Sequence, residues 1–338
     1  MDASTRVLHR YQFLAMIRKY FFPVLIFISC LKFEFESPYE DLNGIYLQWM
    51  GENHAYVRKM IFDEDKTYTL NTNRKTITCY SYIFPDSINT FSSYVSSHTI
   101  ADFTVNKGFV YMATPSFGLE IINFHSQEPF LYSTLAINDS TALICLNNSC
   151  LCLLSSYRLD IVDISENHNP KKLSEYQFQN RTLWMEIDSI YAYVLTTDNT
   201  FHIIDIEDPA NPILRLQYCN DTMSALSMFT INKEFVYFLK QSGSIDIYET
   251  VDATLVFQTS ISAPDFITYM AICGNYGIAI SSDMVFLLNL KYPTRPSICE
   301  ALKLPVNWYL DYGLVNDKTI YASNDIELHF IAIREIPR

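Results

Sequence analysis

The chain has 338 residues, of which 49% are hydrophobic and 15% are aromatic, so it can bury a sizeable core. Only 18% of the residues are charged, which excludes a disordered composition. The formal net charge of −13 would repel polyanions, so neither nucleic acids nor anionic membrane surfaces are expected partners.

The first predicted element is an export signal in residues 16–30, MIRKYFFPVLIFISC. Arg18 and Lys19 supply its basic region, and residues 20–28 form an apolar run that is too short to span a bilayer. A small residue follows the run and directly precedes Cys30. This order resembles a bacterial lipoprotein signal, which implies that Cys30 becomes the lipidated first residue of the mature protein.

The residues around the signal define three segments. Residues 1–15 do not fit an export signal, so Met16 is the expected start and residues 1–30 form a leader. Residues 31–42 are expected to be a short tether, and residues 43–338 the folded domain. An ordinary cleaved signal, which would give a secreted protein, is the alternative to lipidation at the cell envelope.

A short apolar phrase recurs along the rest of the chain. Its copies and their first apolar residues are LEIIN at Leu119, LDIVD at Leu159, FHIID at Phe201, IDIYE at Ile245, VFLLN at Val285 and IELHF at Ile326. The spacings are 40, 42, 44, 40 and 41 residues, and a step of 42 back from the first copy reaches Ile77 in ITCYS. Seven copies at a steady period indicate a repeat architecture.

Each repeat has room for four short strands. The phrase alternates with a period of two, and a second strand-like run such as FVYMA or YAYVL precedes it across turn residues. A third run lies further upstream, and a fourth follows a loop whose prolines, among them Pro170, Pro212 and Pro296, would break a helix. An irregular sandwich would not give a constant period. We therefore predict an all-β fold, a β-propeller of seven four-stranded blades.

The last blade lacks chain for a fourth strand, because its phrase runs almost to Arg338. The segment GIYLQWM at 44–50 precedes the first blade and has no other role. We predict that it pairs with the strand near 326–333 and so removes an open edge.

Polar residues end several copies of the phrase, at Asn123, Asp163, Asp205 and Asn289. Their side chains are predicted to accept hydrogen bonds from backbone N–H groups in the turn that follows. A role in binding a ligand is the alternative for the same positions.

Two of the phrases and their loops, LDIVDISENHNP and FHIIDIEDPANP, resemble the LVIVD repeat family. The second carries both Pro209 and Pro212, and the likeness covers about residues 75–336. The resemblance implies a secreted or surface-exposed bacterial propeller, and it implies no particular reaction.

No motif for a reaction occurs in the sequence, which lacks a nucleophile elbow, a dinucleotide fingerprint, a Walker loop and an HExxH zinc motif. The segment DEDKT at 63–67 begins like a calcium loop, but Tyr68 stands where such a loop requires glycine. Neither a cofactor nor a metal site is therefore predicted.

Three cysteines cluster in CLNNSCLC, at Cys145, Cys150 and Cys152. A tight turn at Asn147 and Asn148 would set Cys145 opposite Cys150. Buried thiols, a disulfide between Cys145 and Cys150, and a metal site are all compatible with this spacing.

The leading hypothesis is an exported, lipid-anchored propeller that binds a protein or glycan at the cell surface and catalyses nothing. A scaffold subunit of an envelope complex is a second class. The alternative is a propeller enzyme, a hydrolase or lyase with its site over the central channel, where Asp102, Glu186 and Asp311 are the candidates. Converging carboxylates in the channel would favour the enzyme, and a broad apolar patch would favour a partner.

Overall fold

The computed structural model describes residues 45–53, 57–84, 87–137, 140–147, 150–188, 190–219, 226–251, 254–263, 265–304, 310, 312–316, 319–324 and 327–335. The predicted export signal with Cys30, the tether, Asp311 and Ile326 lie outside these residues. Within them, the structure contains no helix of the length and apolarity needed to cross a membrane.

The described residues form seven antiparallel four-stranded sheets, which we number as blades 1 to 7. Blade 1 consists of β2 (Val57–Asp63), β3 (Lys66–Asn71), β4 (Thr76–Phe84) and β5 (Ser87–Val95). Blade 2 consists of β6 (Asp102–Asn106), β7 (Phe109–Thr114), β8 (Gly118–Asn123) and β9 (Phe130–Ala136). Blade 3 consists of β10 (Thr141–Asn147), β11 (Cys150–Ser155), β12 (Arg158–Asp163) and β13 (Lys171–Gln177).

The remaining blades repeat this order. Blade 4 consists of β14 (Thr182–Asp188), β15 (Tyr191–Thr196), β16 (Thr200–Asp205) and β17 (Ile213–Cys219). Blade 5 consists of β18 (Leu226–Asn232), β19 (Phe235–Lys240), β20 (Ser244–Val251) and β21 (Thr254–Ser262). Blade 6 consists of β22 (Tyr269–Cys273), β23 (Tyr276–Ile280), β24 (Met284–Asn289) and β25 (Ser297–Lys303). Blade 7 consists of β26 (Tyr312–Asn316), β27 (Thr319–Ser323), β28 (Leu328–Glu335) and β1 (Ile45–Asn53).

The blades form a closed ring. The first strand of each blade contacts the first strands of both neighbouring blades, and the ring closes where β26 meets β2. These seven strands therefore surround a central channel, and the fold is the predicted seven-bladed β-propeller. The recurring phrase forms the third strand of each blade.

The chain closes the ring with its N-terminal strand, as the sequence predicts. Strand β1 pairs antiparallel with β28 as the outermost strand of blade 7, from Ile45 opposite Glu335 to Asn53 opposite Leu328. This pairing covers the outer edge of β28 and ties the two ends of the propeller together.

The start of the last phrase was predicted two residues too early. Leu328 lies opposite Ser323, in the way that Val285 lies opposite Ile280 in blade 6. Leu328 is therefore the equivalent of the earlier copies, and the assignment to Ile326 is wrong.

The core lies between the blades, because each sheet packs both of its faces against a neighbour. In blade 3, Leu159 packs with Met185 and Val194 of blade 4. Val162, on the same strand as Leu159, packs with Leu119 of blade 2. One apolar strand must therefore serve two interfaces in every blade, which is why the chain repeats the phrase.

Candidate functional site: the central channel and the outer strands

Seven residues, one from each inner strand, occupy equivalent positions around the central channel. In every blade this residue pairs with the same repeat position of the second strand. The seven residues are Lys59, Asp102, Leu143, Trp184, Met228, Tyr269 and Tyr312. The ring combines one cation, one anion and several large apolar or aromatic groups. A channel of this kind can hold a small polar ligand only if its charged groups are available.

Asp102 joins three blades. Its Oδ1 lies 2.6 Å from the Nζ of Lys59 in blade 1 and accepts a hydrogen bond from its neighbour Phe103. Its Oδ2 accepts the backbone N–H of Ile144 in blade 3 at 3.0 Å. Both oxygens of this buried carboxylate are thus engaged, which fits a structural anion better than a catalytic base.

Glu186 makes the same kind of contact two blades further on. Its Oε2 accepts the backbone N–H of Ile231 at 2.9 Å and the hydroxyl of Thr230 at 3.2 Å, both in blade 5. Burial raises the pKa of this carboxyl from 4.5 to about 7, and the hydrogen bonds from Ile231 and Thr230 oppose that rise. Glu186 can therefore change its protonation near neutral pH.

Tyr312 serves the junction between the last and first blades. Its hydroxyl donates to the carbonyl of Met60 at 2.9 Å and accepts the N–H of Met60 at 3.2 Å. The ring of Tyr269 lies beside it, with centroids 5.5 Å apart. Burial raises the pKa of both phenols well above the usual range, so both stay neutral.

These contacts share one physical cause. The inner strand of a blade is a sheet edge, and its outward N–H groups need acceptors. Asp102, Glu186 and Tyr312 each supply one to the next blade around the ring. The two predicted catalytic candidates that the structure describes, Asp102 and Glu186, therefore hold neighbouring blades together. The third, Asp311, lies outside the described residues.

The four predicted turn residues lie in blades 2, 3, 4 and 6 and are not brought together. In each, the Oδ1 atom accepts the backbone N–H two residues later, at 2.9, 2.8, 2.9 and 3.0 Å for Asn123, Asp163, Asp205 and Asn289. Asp205 also binds Arg215 at 2.6 Å. The backbone N–H of Glu207 and the Arg215 guanidinium lower the pKa of Asp205. The hydrogen bond from the backbone N–H to the Oδ1 atom, present in all four turns, is the contact expected from the sequence.

The predicted register of the cysteine hairpin is wrong. Cys145 lies opposite Cys152, and Cys150 lies opposite Asn147. The two-residue connection is thus one residue later than the Asn147–Asn148 turn, and a disulfide between Cys145 and Cys150 loses its geometrical basis. No disulfide joins the cysteines of the described part of the chain, and burial raises the pKa of Cys145 to about 12.

A surface of exposed apolar residues lies on the outer strands and was not predicted. Equivalent positions near the start of the fourth strand carry Ile213 and Leu214 in blade 4 and Val256 and Phe257 in blade 5. Strands β17 and β21 contact each other, so the four residues lie on adjoining outer strands. We call these four residues the outer apolar surface.

The chemistry of these positions differs between blades. Phe257 is 53% exposed and Ile213 is 52% exposed. Blade 3 carries Lys171 and Lys172 at the equivalent positions, which is the usual chemistry for an outer edge. Blade 2 carries Phe130 and Leu131, 51% and 45% exposed, and so is as apolar there as blades 4 and 5. The surface could not be predicted from the sequence, because period-two alternation does not distinguish an outer strand from an inner one.

Comparisons with known proteins agree with this architecture. The model of the LVIVD repeat matches residues 188–220, which fall in blade 4. Solved structures similar to the chain include the β-propeller domain of Cps50 (Swd1) from Myceliophteria thermophila, with a TM-score of 0.68 and 10% identity over 85% of this chain and 100% of that one. The computationally designed Ika8 protein has a TM-score of 0.62 and 9% identity over 83% of this chain and 97% of that one. No curated protein matches the chain. These likenesses show a β-propeller with an LVIVD repeat.

Proposed function

We propose that this LVIVD-repeat β-propeller is a binding protein that docks a protein partner on its outer apolar surface. We also propose that the protein is exported and that a lipid on Cys30 holds it at the bacterial cell envelope. The observation that carries the proposal is the group of exposed apolar side chains shared by β17 and β21. Contiguous exposed apolar groups are typical of sites that another macromolecule covers.

The chemistry of the surface favours a protein over a glycan. Ile213, Leu214 and Val256 are aliphatic and offer no hydrogen bonds to sugar hydroxyls, whereas they can pack against apolar side chains of a protein. Phe257 contacts the ring of Tyr248 at 5.4 Å between centroids, so it is a supported aromatic anchor. Arg215 and Gln258 flank the apolar residues and supply a polar rim.

A double variant tests the docking surface. Ile213→Ser combined with Phe257→Ser should abolish capture of a partner by chemical cross-linking in intact cells, because it removes both exposed apolar anchors. The matched control is Tyr292→Ser, which removes an exposed aromatic side chain from a loop of blade 6. The measurement compares cross-linked species by mass spectrometry at equal protein levels and equal thermal stability. A partner band of the same intensity in the native and the double-variant protein would refute the proposal.

Lipidation is tested separately at Cys30. In cells fed labelled palmitate, the native chain should incorporate label and fractionate with membranes, whereas the Cys30→Ala protein should do neither, because the residue that accepts the lipid is gone. Label that persists in the Cys30→Ala protein would rule out this anchor. A conservative exchange elsewhere in the signal region, Ile28→Leu, is the control for export itself.

One observation favours the alternative, an enzyme with its site in the channel. Burial raises the pKa of Glu186 to about 7, which is the range of a general acid or base. An enzyme would lose its activity when Glu186 is replaced by glutamine, whereas a binding protein would keep its partner. The hydrogen bonds that engage Glu186 and Asp102 with backbone N–H groups favour the binding protein.

A further inference from the structure

A histidine and two glutamates meet where the ring is closed. Glu52 on β1 lies opposite His329 on β28, and Glu327 directly precedes β28. The backbone N–H of Glu327 donates to the Oδ1 of Asn324 at 2.8 Å, which fixes the chain at this position. Two of the three residues belong to the closing strands β1 and β28, and the third directly precedes β28, so all three lie outside the ring of inner strands.

The histidine is buried without a hydrogen-bond partner. The His329 side chain is 0% exposed, and neither its Nδ1 nor its Nε2 makes a hydrogen bond. The Oε2 of Glu327, on a side chain that is 13% exposed, also makes none. A buried imidazole loses its hydrogen bonds to water on folding, so two unsatisfied ring nitrogens require an explanation.

The three side chains lie close to one another without a direct hydrogen bond between them. The Nδ1 of His329 lies 3.6 Å from an Oε2 of Glu52, and its Nε2 lies 3.5 Å from the Oε2 of Glu327. Both separations are too long for hydrogen bonds. One ion can bind only one of the two ring nitrogens, because their lone pairs point in different directions. A nitrogen and a carboxylate oxygen that each lie about 2.0–2.1 Å from one tetrahedral zinc ion are about 3.3–3.4 Å apart, so either of the two contacts, taken singly, is close to that separation. One ligand atom from each of the three residues lies within 4.8 Å of the others.

The geometry points to a divalent metal site formed by Glu52, Glu327 and His329, with Zn²⁺ as the ion whose ligand preference fits best. One imidazole nitrogen with two carboxylates is a borderline donor set, which Mg²⁺ and Ca²⁺ do not favour. Three protein ligands leave a fourth position for water or for a group of a partner.

The site would join the two ends of the propeller. Glu52 belongs to the N-terminal closing strand, and Glu327 and His329 to the C-terminal part of the chain. An ion shared between them opposes separation of β1 from β28, which is the step that opens the ring. Metal binding should therefore stabilise the native protein by mass action.

Zinc binding to the purified, untagged full chain tests the site. After treatment with a chelator and gel filtration, added Zn²⁺ should be retained at about one ion per chain by elemental mass spectrometry. At a free Zn²⁺ concentration about 100 times the Kd, Tm should rise by roughly 5 °C. Glu52→Gln and Glu327→Gln keep the side-chain size, and each should weaken zinc affinity by at least about 10-fold.

The matched control is Glu120→Gln in blade 2. Glu120 also lies beside a histidine, but its Oε1 is 2.8 Å from the Nδ1 of His98, a direct hydrogen bond. Zinc affinity and the rise in Tm should be unchanged in this variant. Failure of the native chain to retain Zn²⁺, or equal retention by the Glu52→Gln and Glu327→Gln proteins, would overturn the proposal. The cluster would then be two carboxylates packed against an imidazole.

Discussion

Alanine in place of Leu159 is expected to lower the free energy of unfolding by about 2–5 kcal/mol. Leu159 is 0% exposed and packs with Met185 and Val194 of the next blade. The substitution removes buried apolar surface and leaves a cavity between two rigid sheets that cannot move together to fill it. Denaturation by guanidinium, followed by tryptophan fluorescence, measures the difference.

Asp163→Ala on the same strand is the matched comparison. It removes one hydrogen bond from the backbone N–H of Ser165, at 2.8 Å, and should cost only about 0.5–2 kcal/mol. A larger loss of stability for Asp163→Ala than for Leu159→Ala would contradict the division between core and turn. An Asp163→Ala protein with native melting but no partner binding would instead assign the residue to a ligand.

The repeat made most of the fold predictable. Both faces of every blade are buried against a neighbour, so each third strand needs the same apolar pattern, and that need appears as a constant period. The closing strand followed from counting strands, because an open edge at β28 would be costly. Burial between repeated units thus left a signal in the sequence that is stronger than that of any single strand.

Both errors in the prediction are shifts of two residues. The last phrase begins at Leu328 and not at Ile326, and Cys145 pairs with Cys152 and not with Cys150. A shift of two keeps every side chain on the same face of its sheet, so the alternation of apolar and polar residues is unchanged. Only the exact position of the turn decides the register, and Asn147 and its neighbours suit a turn at either place.

The sequence predicted which residues lie at the channel but not which groups they contact. Asp102 and Glu186 were placed on or near inner strands, but their partners are the backbone N–H groups of Ile144 and Ile231, more than forty residues away. Contacts between blades leave no local pattern, since any backbone N–H can serve as donor. The cluster at His329 was missed for the same reason, because Glu52 lies at the other end of the chain.

The pH dependence of stability is expected to change when Glu186 is replaced by glutamine. Burial raises the pKa of Glu186 from 4.5 to about 7 in the folded protein. Between these values the folded protein binds a proton that the unfolded chain releases, so the contribution of this group to stability falls as the pH rises. It is complete below pH 4.5 and lost above pH 7. The stability that this group loses between pH 4.5 and pH 7 amounts to about 3 kcal/mol.

Glutamine imitates the protonated carboxyl, because its carbonyl oxygen can still accept from Ile231 and Thr230 while it carries no charge at any pH. The unfolding free energy of the Glu186→Gln protein, relative to the native protein, should therefore rise by about 3 kcal/mol between pH 4.5 and pH 8. Urea denaturation at several pH values measures this difference. Glu128→Gln, at an exposed position between β8 and β9, is the control and should show no such trend. If the unfolding free energies of the Glu186→Gln and native proteins differ by the same amount at every pH in this range, the Glu186 carboxyl stays ionised in the folded protein. Its pKa is then not raised by burial.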